Sequence, residues 1–186
     1  VRKQYQPFES KARTSMSEVY LHQMPGGQYT NLREQAKSMG ITDERWPELA
    51  SMYAEVNKIF GDVIKVTPIS KVVGDMAIYM LANNIQISDV LDPKKDVGFP
   101  ASVIEFFSGR LGQPYKGFPK VLQKKILKGK KPISYRFGSK LPSLNIKNRS
   151  KELEKKYKDK ISEKDTLSQI FFPEVFDEYI KHKQHF

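Results

Sequence analysis

Two short stretches concentrate the side chains able to do chemistry. In KVTPISK, Lys65 to Lys71, a threonine stands directly before a proline, and a serine and a lysine follow within the next helical turn. A Thr-Pro pair marks a helix start, because the hydroxyl can accept a backbone N–H and proline at the first helical position forfeits no hydrogen bond. On that reading Thr67 is a cap, and truncating it to Ala costs roughly 1 kcal/mol of stability. The same geometry gathers unpaired N–H groups, the positive end of a helix, Ser70 and Lys71 around one point. That is also a cradle for an anionic or carbonyl-bearing ligand. The second stretch is PGGQYTN, Pro25 to Asn31. Its glycines let the backbone approach a ligand closely, and the Gln28 amide can both donate and accept. Its structural alternative is a turn with an exposed glutamine.

Other chemistries are narrower. The chain has 186 residues and no cysteine, which excludes disulfide frameworks, thiolate nucleophiles and cysteine zinc sites. The histidines are His22, His182 and His185; only the last two have helical spacing, and they lie at a basic chain end, so no metal site is expected. Neither a G-x-x-x-x-G-K-[ST] loop nor a G-x-G-x-x-G loop occurs, which argues against a self-contained nucleotide pocket. The 32 Lys and Arg against 21 Asp and Glu give a net charge of +11, which raises a basic nucleic-acid-binding module as the non-enzyme alternative. Much of that excess sits in KVLQKKILKGKK (Lys120 to Lys131) and NRSKELEKKYKDKISEK (Asn148 to Lys164), where it alternates with apolar or acidic residues as on solvated helix faces. No nucleic acid is therefore expected as a partner. No apolar run approaches the roughly 20 residues of a membrane span, and the N-terminus lacks a signal-peptide core, so we expect a cytoplasmic protein without a membrane partner. The start without methionine and a last helix running almost to Phe186 suit an excised piece whose charge is balanced elsewhere.

The elements that must position these groups read as helices. The alternating run SEVYLHQM (Ser17 to Met24) is open between extended and helical, and Pro25 to Gly27 reads as a turn before a helix from Asn31 to Met39, stopped by Gly40. Pro47 opens an amphipathic helix whose Leu49, Met52, Tyr53, Val56, Ile59 and Phe60 form a core face before Gly61. The next helix begins at Thr67 and carries Ile69, Val72, Val73, Met76, Ala77 and Met80 before Asn83 and Asn84. Ser88 can cap a short turn through Leu91; Pro100 opens a helix with Val103, Ile104, Phe106 and Phe107; Pro119 opens another that Gly129 stops. Lys131 to Asn148 reads as an extended linker, followed by a polar helix from about Ser150, a Ser162–Asp165 capping box and a last helix opened by Pro173. The fold class is mainly helical, all-α, in two unequal parts: residues 1–145, and residues 146–186 as linker and helices.

Taken together, SEVYLHQMPGGQYTNL, GDVIKVTPISKVVGDMAIYM, FPASVIEFFSGRLGQPYKGFP and LQKKILKGKKPI, in this order and spacing, resemble the region after the TIM barrel in the carboxyltransferase domain of the pyruvate carboxylase family. The resemblance runs from about Tyr5 to Tyr179, and the tail SEKDTLSQIFFPEVFDEYI looks like the segment entering that family's tetramerisation region. The related decarboxylase α subunits and transcarboxylases share much of it but usually have methionine at the position of Gln28. The Gly-Gly-Gln of residues 26–28 also looks like the tip of peptide release factors. That reading demands a loop of an α/β domain with an arginine- and glycine-rich approach, whereas SEVYLHQMP precedes it here and helices follow.

The family resemblance implies a biotin-dependent ligase that carboxylates biotin with ATP and bicarbonate, then passes the carboxyl group to pyruvate to give oxaloacetate. It implies a helical funnel over a barrel that holds a divalent metal, a biotin-carrier domain elsewhere in the polypeptide, and a homotetrameric parent. Thr67 matches the threonine that shuttles a proton between the pyruvate methyl group and biotin; a hydroxyl suits this because it can donate one proton while accepting another. Gln28, Ser70 and Lys71 match positions that help hold the biotin ureido ring. The family commonly has serine where this chain has Ile69, beside Thr67, and proline where it has Phe137. The sequence holds no barrel, no metal ligands, no ATP-binding domain and no biotin-accepting lysine motif, so the chain alone is expected to bind neither metal nor ATP and to be inactive.

Overall fold

Between proline starts and glycine or asparagine stops, apolar side chains recur every three or four positions. Each such segment is a helix in the computed structural model, which describes residues 2–9 and 17–183. Among the described residues every regular element is helical, in two compact units that meet at Ser139 and Lys140 in the sequence.

The first unit holds α1 (Arg2–Tyr5), α2 (Val19–His22), α3 (Gly26–Ser38), α4 (Trp46–Ile59), α5 (Ile69–Ala82), α6 (Ile87–Leu91), α7 (Ala101–Phe107) and α8 (Lys120–Leu127). Helix α5 is its centre. Val72, Val73, Met76, Ala77, Ile78 and Met80 are all at most 1% exposed, as befits a helix apolar nearly all round, and it packs on α3, α4 and α7. Leu49, Tyr53, Val56 and Phe60 supply the facing stripe of α4, with Met52 and Ile59 half-buried at its margin. An aromatic cluster closes the core, with Phe107 centred 5.0 Å from Phe60 and 5.3 Å from Phe106, and Phe118 5.1 Å from Phe106. Val103, Phe106 and Phe107 of α7 are fully buried, whereas Ile104 is 38% exposed. The expected stops hold: Gly40 and Gly61 take φ of +81° and +96°, and Asn84 takes +53°.

Several helix starts differ from the sequence expectation. Pro25 to Gly27 is not a turn before Asn31. Pro25 is extended (φ −61°, ψ 149°) and its carbonyl accepts the Tyr29 N–H at 2.9 Å, so Gly26 and Gly27 are the first turn of α3. Thr67 is not a cap. Helix α5 starts at Ile69, Pro68 occupies the cap position, and no side chain caps it. The Thr67–Pro68 bond is cis. Ser88 lies inside α6, whose mouth is closed by the Gln86 N–H donating to the Asp89 carboxylate at 3.0 Å.

At the far end of α6 the Lys125 ammonium donates to the carbonyls of Asp89, Val90 and Asp92 at 2.7, 2.9 and 2.6 Å. Helix ends leave such carbonyls short of partners, although that of Asp92 also takes the Lys95 N–H at 3.3 Å, so one cation of the basic KVLQKKILKGKK run is a structural clasp between α8 and α6.

The second unit comprises α9 (Ile146–Tyr157), α10 (Glu163–Phe171) and α11 (Pro173–Lys183), closed around Leu153, Ile161, Phe176 and Ile180. The Ser162–Asp165 capping box is present in both directions. Helix α9 begins earlier than Ser150, because the Asn145 side chain accepts the Asn148 N–H at 3.0 Å. The stretch read as an extended linker contains a 3₁₀ turn, Phe137–Lys140, with the Arg110 guanidinium 5.3 Å from the centre of the Phe137 ring.

Candidate functional site

The mouth of α5 is built by backbone. The Val66 carbonyl accepts the N–H groups of Ile69 and Ser70 at 2.8 and 3.2 Å, and the Pro68 carbonyl accepts that of Lys71 at 3.2 Å. The cradle of unpaired N–H groups expected at this mouth is therefore absent: the amides that would greet an anion already have partners. The consequence for Thr67 is the reverse of capping. Its side chain is exposed and makes no hydrogen bond to a described residue, so its oxygen can accept and its proton can be given.

Ser70 is buried, at 5% exposure, on the first turn of α5, whereas the Lys71 side chain is 62% exposed. Ile69 turns inward, half-buried against the core, so this departure from the family's serine contributes to packing.

Gln28 reaches the same face of α5 from α3. A Cβ at Gly74 would lie 2.8 Å from Gln28 Nε2 and 2.7 Å from Leu32 Cδ1, closer than real Cβ contacts allow. Gly74 follows Ser70 by four residues and Lys71 by three, which places it on their side of the helix. The glycine thus lets α3 and α5 close on each other, with the Gln28 amide against the turn of α5 that follows Ser70 and Lys71.

Charge around this face is organised by Asp75, which sequence reasoning missed. Its side chain is 12% exposed. The Lys71 ammonium and the Ser102 hydroxyl both donate to Oδ2 at 2.6 Å, and the Gln35 amide donates to Oδ1 at 3.2 Å. The Lys71–Asp75 spacing of four residues is visible in the sequence; the partners from α3 and α7 are not, since they lie 40 and 27 residues away. A second link joins the surroundings of the two motifs, for the Lys65 ammonium donates to Gln23 Oε1 at 3.0 Å. Lys65 belongs to the Thr67 segment and Gln23 to the approach to Pro25.

His22, also missed as a supporting residue, anchors that approach. It is 4% exposed, and its Nδ1 accepts the Met24 N–H at 2.9 Å, so the ring proton belongs on Nε2, which is buried without a partner. Burial holds its pKa below the usual histidine value, with Glu18 pulling weakly the other way. The ring centre lies 5.8 Å from that of Tyr29, on the first turns of α3, and Tyr29 stands edge-on to Trp46 at 4.8 Å.

Thr67, Ser70, Lys71 and Gln28 offer hydroxyl, ammonium and amide groups and no carboxylate or imidazole. They do not suit a metal. Among the described residues no three His, Asp or Glu side chains converge as ligands. His182 lies exposed near the end of α11, and His185 is outside the described residues. No helix of the described residues is long and apolar enough to cross a membrane.

Comparison with known proteins agrees with the sequence resemblance. The family described as "Conserved carboxylase domain" matches residues 19–186. Pyruvate carboxylase of Bacillus subtilis is 47% identical over 181 residues, covering 97% of this chain and 16% of that protein. The carboxyl transferase domain from Rhizobium etli pyruvate carboxylase superposes with a TM-score of 0.89 at 47% identity, covering 96% of this chain and 30% of that one. A structure of the same domain with pyruvate and biocytin gives 0.88 at 47% identity over the same shares. The chain thus spans about 16% of the length of its curated relatives.

Proposed function

The chain belongs to the conserved carboxylase domain family of the pyruvate carboxylases, and we propose that it forms the post-barrel helical region of a carboxyltransferase domain that passes a carboxyl group from biotin to pyruvate, giving oxaloacetate. The observation that carries this reading is the exposed Thr67 hydroxyl, unbonded to any described residue, just before the helix that carries Ser70 and Lys71 and packs on Gln28, in a fold that matches a domain solved with pyruvate and biocytin.

Biotin, when bound, supplies the ureido nitrogen that carries the carboxyl group. The chain's own residues supply donors and a proton path. Lys71 has two N–H groups left after its bond to Asp75, enough for a ureido oxygen. The Gln28 amide of α3 and the Ser70 hydroxyl of α5 each offer a donor and an acceptor. Thr67 Oγ1 accepts a proton as its own is given up, and its lack of internal partners leaves both roles open. On this reading, which follows the family resemblance, the divalent metal would sit in the barrel and ATP on a further domain of a homotetrameric parent. By this reading the isolated chain is inactive.

The full-length polypeptide, given pyruvate, ATP and bicarbonate, forms oxaloacetate in a reaction that avidin abolishes by sequestering biotin. Oxaloacetate formation insensitive to avidin, or none from pyruvate, would refute the assignment.

A further inference from the structure

Lys71 and Gln28 stand on different helices, α5 and α3, and a ring held by both needs the two helices registered to a fraction of an ångström. Two adjacent residues of α5 set that register. Gly74 removes the Cβ that would push Gln28 and Leu32 away. Asp75 then pins the pair with three bonds: to Lys71 on its own helix, to Gln35 on α3 and to Ser102 on α7. Gln28, Leu32 and Gln35 lie at spacings of four and three along α3, so they form one stripe, and it is this stripe that meets Gly74 and Asp75.

The ammonium itself requires such help. Lys71 is 62% exposed on a flexible, rotamer-rich stem, and alone it would sample many positions. Asp75 is not free to follow it, since its carboxylate is 12% exposed and held by the Ser102 hydroxyl and the Gln35 amide. A fixed, half-buried carboxylate converts a wandering surface cation into a placed one.

We propose that Asp75 is the positioning residue of the ureido pocket, its carboxylate fixing the Lys71 ammonium and tying it through Ser102 and Gln35 to the helix that carries Gln28. The inference rests on the reading of Lys71 as a biotin-contacting residue. It assigns no contact with substrate to Asp75 itself, which acts through Lys71.

The test uses the full-length enzyme and free biotin as probe, measuring carboxyl transfer from oxaloacetate to biotin with release of pyruvate. Asp75→Asn keeps the shape of the side chain and removes its charge. It raises KM for biotin about tenfold, the loss of one charge-assisted bond, while kcat and KM for oxaloacetate change by less than about threefold. In a Lys71→Ala background the same substitution adds no further rise, because the group it positions is gone. Ser102→Ala leaves the carboxylate in place but frees it; it raises the biotin KM about threefold, again only when Lys71 is present. This milder variant decides the matter if Asp75→Asn does not fold. Equal effects in both backgrounds, or no effect where Lys71→Ala alone raises the biotin KM, overturn the proposal. A silent Lys71→Ala has a different signature: it refutes the assignment of Lys71 to the pocket, and this inference falls with it.

Discussion

Substituting Thr67 by alanine separates a structural hydroxyl from a chemical one. A true N-cap contributes about 1 kcal/mol. Here the first amides of α5 bond to the Val66 and Pro68 carbonyls, and the exposed Thr67 side chain bonds to no described residue. Surface substitutions of that kind stay within about 0.5 kcal/mol. In a chain of this size 1 kcal/mol moves Tm by roughly 2–4 °C, so thermal denaturation of Thr67→Ala should shift by less than about 2 °C. In the full-length enzyme, oxaloacetate formation should fall by about 10²- to 10⁴-fold, the usual worth of a positioned proton-transfer group, while bicarbonate-dependent ATP cleavage persists. Thr67→Ser keeps the hydroxyl and should retain part of the activity. Loss of both half reactions together, a Tm drop of several degrees, or full transfer by the alanine variant would each refute the reasoning.

The remaining expectations concern what holds the site. Gly74→Ala gains about 1 kcal/mol of helix propensity but drives a methyl into the fully buried Leu32 and into Gln28. Overpacking of about 1–3 kcal/mol wins, so denaturant titration should give a net loss near 1 kcal/mol, with a raised KM for free biotin as the Gln28 amide is displaced. Lys125→Met removes the cation shared by the Asp89, Val90 and Asp92 carbonyls and should cost about 2 kcal/mol, roughly 4–8 °C in Tm. Folded His22 has its pKa held below the 6.5 of the unfolded chain, mainly by burial, so the unfolded state binds the extra proton. Stability from this group is present above about pH 6.5 and declines as the pH falls through that value toward the folded pKa; denaturation between pH 7.5 and 5 should show this slope, and His22→Gln should flatten it.

The features legible in the sequence are those whose causes are local. The stripe of α4, the apolar run of α5, the glycine and asparagine stops and the Ser162–Asp165 box each depend on residues within two turns of one another. The starts of α3 and α5 depart from the sequence expectation for a shared reason. Pro-Gly-Gly and Thr-Pro are turn and cap signals by composition, yet whether glycine uses positive φ, or a carbonyl takes the place of a capping side chain, depends on the path of the preceding backbone. Gly26 and Gly27 take no positive φ, and the Val66 carbonyl does what Thr67 was expected to do. The roles proposed for Gln28, Ser70 and Lys71 come only from their membership of ordered motifs. The residues that bring them together, Gly74 and Asp75, look like ordinary helix-interior residues until α3 and α7 are packed against them.

A cap and a proton relay make opposite demands on one hydroxyl. A capping oxygen spends a lone pair on a backbone N–H and is held by that bond, whereas a relay needs its lone pair and its proton open to two external partners. In this chain the segment is fixed on either side of Thr67 rather than through it. Before it, the 17%-exposed Lys65 reaches Gln23 and lies 3.8 Å from Asp62; after it, Ile69 packs on the core and Ser70 is buried. The Val66 carbonyl meanwhile pairs the helix amides that would otherwise draw the hydroxyl in. Breaking the upstream anchor tests this division. Lys65→Met leaves Thr67 chemically intact, so if the flanks place the hydroxyl, carboxyl transfer should fall in the full-length enzyme with bicarbonate-dependent ATP cleavage unchanged. Undiminished transfer in that variant would mean that the downstream side, Ile69 and Ser70, is sufficient by itself.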